Sequence, residues 1–135
     1  IADKLAKTGF PAIVGPSFGH RSKFELKEKG FQTVKALIEA GVKTAICTDS
    51  TVIPLQSLPL MAGMAIAEGL CPHEALKAIT INPAEIIGID DRVGSLEVGK
   101  DGDLVIWNTS PFTVDAKPLW VLIEGCVVAG TKRNA

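Results

Sequence analysis

Residues 31–50 read "FQTVKALIEAGVKTAICTDS", two halves of different periodicity. The first half sets Val34, Leu37 and Ile38 on one face of a helix, and Gly41 is a natural stop just past it. The second half, residues 42–48, is a nearly continuous run of small and apolar side chains. Such a run suits a strand covered on both faces, as in a parallel sheet with helices outside. The run then ends abruptly at Asp49. A carboxylate there must be solvated, hydrogen-bonded or bound to a cation, because an unpaired buried charge is very costly.

Upstream, "PAIVGPS" (11–17) puts β-branched residues between prolines and reads as a short strand. Strand, helix and strand make a βαβ unit with a right-handed crossover, so the class is α/β. Between them "FGHRSKFELKEKG" (18–30) is polar, charged and without period, and reads as a long loop. The chain opens without Met on "IADKLAKTGF", the end of a helix, which leads us to expect a piece of a longer polypeptide. Past Asp49, a helix is expected near 58–68, with Ser57 as N-cap, Pro59 in the first turn and Gly69 as its end. "CPHEALKAIT" (71–80) is a second helix started by Pro72. "NPAEIIG" (82–88) is a third, with Asn82 as cap, Pro83 at the first position and Glu85 completing a capping box. From about residue 91 the texture changes. "DRVGSLEVGKDGDLVIWN" (91–108) and "PLWVLIEGCVVAG" (118–130) alternate apolar and polar residues between glycine-rich turns, which predicts antiparallel strands. Glu124-Gly125 falls where a two-residue hairpin loop would sit.

Composition narrows the function classes. The 135 residues are 47% hydrophobic and 21% charged, with a net charge of −1 from scattered residues, so the chain is globular. It carries no electrostatic footprint for nucleic acid or an anionic membrane. No apolar run approaches the roughly 18 residues that span a bilayer. With no leader read before the first element, and with Cys47, Cys71 and Cys126 read as buried free thiols, the expected compartment is the cytoplasm.

These pieces in this order resemble the C-terminal end of the amidohydrolase superfamily, the metal-dependent hydrolases built on a distorted (β/α)8 barrel. The specific parts are "TDS" at a strand end, "EALKAITINPAEIIGI" in the following helices, and "DRVGSLEVGKDGDLVIW" entering the β part. Within the superfamily the spacing is most similar to the imidazolonepropionase-like branch. The resemblance implies an α/β fold comprising the last two strands and trailing helices of a (β/α)8 TIM-like barrel (1–90). A small antiparallel β domain, part of a composite sandwich, would follow (91–135).

The resemblance also implies a role for Asp49, since the acid ending the eighth barrel strand contacts the catalytic metal and handles the proton of the attacking water. The chemistry is sound: a divalent ion lowers the pKa of bound water, and a carboxylate beside it takes the proton and passes it to the leaving amine. Read without the resemblance, "TDS" is equally good turn or capping chemistry. His20 and Arg21 sit in the long loop expected on the same face, and with Thr51 they are candidate substrate contacts; a solvated loop is the plain alternative. His73, after Pro72, reads as a surface histidine. Trp107 and Trp120 are expected between two β layers, and Met61 and Met64 in the core.

His20 and His73 are the only histidines, and neither lies in the His-x-His pair that the family's metal site requires. One aspartate does not make a zinc site, which needs three or more ligands. The expected parent therefore binds a divalent metal, zinc, and a small-molecule substrate, while the isolated chain is expected to bind no metal and to be inactive. It is expected to self-associate or to contact the missing barrel portion. The first reading is a hydrolase of a non-peptide carbon–nitrogen bond in a cyclic amide or amidine. The second is an amidohydrolase-like scaffold that has lost its ligands. A phosphate-cradling βαβ module fares badly, because "VGPSFG" lacks Gly-x-Gly-x-x-Gly.

Overall fold

In the computed structural model, which describes residues 1–18 and 30–130, a short helix α1 (Ala2–Ala6) precedes strand β1 (Ala12–Val14). Helix α2 (Gln32–Glu39) and strand β2 (Thr44–Ile46) follow. The two strands are parallel, with Ala12 opposite Thr44 and Val14 opposite Ile46. Gly41, at φ +85°, closes α2. Its N–H donates to the Ile38 carbonyl and the Val42 N–H to that of Leu37, each at 2.9 Å. This left-handed stop turns the chain straight into β2, and glycine adopts it without a Cβ penalty. Every residue of β2 is buried, in keeping with the nearly continuous run of small and apolar side chains.

Helix α3 (Leu58–Ala67) packs on this pair. Val34, Ile46, Met61, Ala62 and Ala65 form the centre of the core, and small residues on α3 let the backbones come close. The Ser57 cap is not seen. A 3₁₀ turn at Leu55–Ser57 runs into α3, so Ser57 already has helical backbone and its hydroxyl makes no capping bond. Helices α4 (Pro72–Lys77) and α5 (Ile81–Ile87) complete this part. Asn82 is likewise no cap: it lies inside α5, buried, and its amide is used elsewhere.

Residues 91–103, read as strand, form turns instead. Gly94 and Gly99 take φ of +93° and +97°, which strands do not accommodate. A Cβ on Gly94 would lie 2.9 Å from that of Ala84, so the loop lies against α5. The Arg92–Asp101 ion pair, at 2.6 Å, closes it. Strands β3 (Leu104–Trp107), β4 (Pro118–Ile123) and β5 (Cys126–Gly130) then make an antiparallel meander. Glu124 and Gly125, at φ +50° and +75°, form the two-residue turn between β4 and β5. The phrase "GKDGD" serves this turn. Asp103 accepts the Glu124 N–H at 2.8 Å, and the Gly102 carbonyl accepts that of Gly125 at 3.0 Å. The meander is tied to the helices through Phe112, which packs against their core and whose carbonyl occupies the space a Cβ on Gly63 would need.

Three burial expectations fail. Trp120 is 40% exposed and Trp107 half-buried, because no second β layer covers the meander among the described residues. Met64 is 37% exposed although it stands one turn from the fully buried Met61. The cysteines are free, but Cys71 and Cys126 are exposed and Cys47 half-buried.

Candidate functional site

Asp49 lies three residues past the carboxyl end of β2, with an exposed side chain and φ +51°. A left-handed backbone at a non-glycine residue is uncommon, tolerated best by Asn and Asp, and clusters at functional sites. Two contacts hold it. The Asp49 N–H donates to Cys47 Sγ at 3.2 Å, and the Asp49 carbonyl accepts the Val52 N–H at 2.7 Å. The thiol thus has a task that the reading of Cys47 as a buried bystander missed. Beneath it the strand ends are pressed together. The Cys47 N–H donates to the Val14 carbonyl at 2.8 Å, and the Cys47 carbonyl sits where a Cβ on Gly15 would be.

The opposite edge of β2 is also engaged. The Ile46 N–H donates to the Ala78 carbonyl after α4, and Asn82 Nδ2 donates to the Thr44 carbonyl, both at 2.9 Å. Asn82 is the residue the sequence hid, since Asn-Pro-x-Glu has the local chemistry of a helix cap and its partner lies 38 positions away. Glu85, assigned to the same capping box, instead pairs with Lys43 at 2.6 Å.

An apolar groove of about 220 Å³ runs beside the strand end, lined by Ile13, Ala45, Cys47, Leu55, Pro83 and Ile87. Ligand pockets are typically about 300–1,000 Å³ and mostly enclosed. The groove is smaller and more open than such a pocket. Thr51 is exposed in the turn after Asp49, and His73 is exposed in the first turn of α4. His20 and Arg21 lie outside the described residues. Among the described residues no three or more His, Cys, Asp or Glu side chains gather in a way that could hold a metal. Asp49 is thus one carboxylate, and the described residues do not make up a complete metal site.

The family model described as "Amidohydrolase family" matches residues 14–131. The chain is 38% identical over 110 residues to the imidazolonepropionase of Rhizobium meliloti (strain 1021), covering 79% of this chain and 26% of that protein. It superposes with a TM-score of 0.91 and 38% identity on the amidohydrolase from Thermotoga maritima MSB8, covering 96% of this chain and 34% of that one. A zinc-bound adenosine deaminase from Xanthomonas campestris matches with a TM-score of 0.61 and 26% identity, over 93% of this chain and 33% of that one. The chain spans 9% to 26% of the length of the curated relatives it matches.

Proposed function

We propose a role that proceeds from one fact, that this chain belongs to the amidohydrolase family: it is the C-terminal portion of a metal-dependent hydrolase. The reaction is hydrolysis of a non-peptide carbon–nitrogen bond in a cyclic amide or amidine. Residues 1–90 supply the last two strands and trailing helices of a (β/α)8 barrel, and residues 91–135 one part of a small composite β domain. The observation that carries this reading is Asp49, exposed on a left-handed turn at the carboxyl end of a buried parallel strand. That end is where barrel active sites gather.

In this reading Asp49 accepts the proton of the attacking water and delivers it to the leaving nitrogen. It needs no long side chain to do so, because the turn already presents the carboxylate clear of the core. The groove beside it is one wall of the substrate space, with Thr51 and the His20–Arg21 pair as candidate contacts. A divalent metal, zinc by the example of the deaminase, belongs to the full-length protein, with its other ligands outside this segment. The substrate class follows from the imidazolonepropionases among its relatives.

The test uses the full-length protein, assayed on imidazolone propionate and on lactams. Turnover is expected, and Asp49→Asn should lower it by about 10²–10⁴-fold at an unchanged thermal midpoint, since the amide keeps the shape but cannot take a proton. The isolated chain should turn over nothing and retain less than one divalent ion per chain after dialysis. An upstream sequence without a His-x-His pair, or full turnover in the Asp49→Asn protein, would sink the reading and favour a scaffold.

A further inference from the structure

Strand β2 is pinned on both edges at alternating residues. On one edge β1 takes it, through Ala12 N–H to the Lys43 carbonyl at 2.9 Å and Cys47 N–H to the Val14 carbonyl at 2.8 Å. On the other no strand is present among the described residues, and the end of α4 and the first turn of α5 take its place. Ala78 offers a carbonyl to the Ile46 N–H, and Asn82 offers a side-chain amide to the Thr44 carbonyl. Asn82 is only 7% exposed and Thr44 fully buried, so neither group has water as a substitute. The amide reproduces the donor that a neighbouring strand would have supplied. A backbone donor would tie β2 to another strand, whereas this one ties it to helix α5, which is itself braced to the strand by Lys43–Glu85.

We propose that Asn82 is a positioning residue for Asp49: by donating to the Thr44 carbonyl it fixes how far β2 slides along its own axis, and hence the height at which Asp49 is presented. This rests on the reading of Asp49 given above. A strand advances about 3.3 Å per residue, so a slide of about one ångström is roughly a third of one residue step. Misplacement on that scale costs on the order of 10²-fold in rate when it reaches a reacting group.

The experiment compares three variants of the full-length protein. Asn82→Asp is nearly isosteric and removes the donor; Val34→Ala destabilises the core from α2 while keeping both donors of this edge; Asp49→Asn tests the underlying reading. Imidazolone propionate is the substrate probe, and deuterium exchange over residues 46–50 is read by mass spectrometry. Asn82→Asp should lower kcat by at least about tenfold with KM within about twofold, and should speed exchange across 46–50. Val34→Ala should lower the melting temperature and leave both readouts near wild type. Equal effects of the two variants, or unchanged exchange in Asn82→Asp, overturn the proposal as merely structural. If Asn82→Asp does not fold, Asn82→Ser, which is too short to reach and adds no buried charge, takes the same measurements. If the protein does not turn over the probe, the exchange comparison decides alone. Full activity in Asp49→Asn instead fails the reading of Asp49 and is distinguishable from every outcome above.

Discussion

Asp49 holds a backbone conformation that suits glycine better than aspartate, and the molecule keeps the acid. Chirality disfavours the left-handed region for residues with a Cβ, less for Asp and Asn than for others. Asp49→Gly should therefore raise stability by about 0.5–1 kcal/mol, read as an increase in the denaturant midpoint, while removing activity from the full-length protein. A loss of stability would mean that the carboxylate itself holds the turn. Sequence reasoning placed Asp49 at a strand end because a buried apolar run cannot continue through a charge. It did not foresee the left-handed turn or the Cys47 thiol beneath the Asp49 amide, because sulfur acceptors leave no periodic signature. Asn82 was misread for a related reason. Cap chemistry and edge chemistry use the same amide, and only the fold decides which carbonyl or N–H lies within reach.

At the scale of elements, glycine punctuation made the boundaries legible and alternation did not. Gly41 and Gly69 end α2 and α3 as expected, both in the left-handed region. Residues 91–103 alternate like a strand, yet they carry no strand pairing. Alternation describes which side chains could share a face, while a strand also needs a neighbour for its backbone. The connection between β3 and β4 offers a titration check. A hydrogen bond from Thr113 holds the Asp115 carboxyl below its ordinary value of 3.8. A lowered native pKa favours folding above that ordinary value, and the contribution is lost as pH falls through the native value. Thr113→Ala should bring the Asp115 midpoint up towards 3.8 in an NMR titration. An unmoved midpoint would leave the effect to the backbone of the turn.

For the whole molecule, the exposed apolar residues set the expectation. Ile13 is 60% exposed and Ile87 64%, and both line the groove beside Asp49. Contiguous apolar surface of this kind marks an interface. We expect the isolated chain to self-associate through this face, giving a light-scattering mass above its 14.2 kDa. The pair Ile13→Lys and Ile87→Lys should shift it towards monomer. A wild-type chain that scatters as a monomer, or a double variant that associates unchanged, would show that the groove is not the contact. Strand edges are less available for the same association than two lone strands imply. One edge of β2 is already occupied by Ala78 and Asn82.

That occupied edge also carries a cost in time. The amide that shields the Thr44 carbonyl stands 38 positions later in the chain. Ribosomes add about 5–20 residues per second, so the strand is made about 2–8 s before its shield. During that interval a buried-type strand has emerged, or is emerging, with one side unprotected. A pause in translation between the codons for Asp49 and Asn82 would lengthen the exposure.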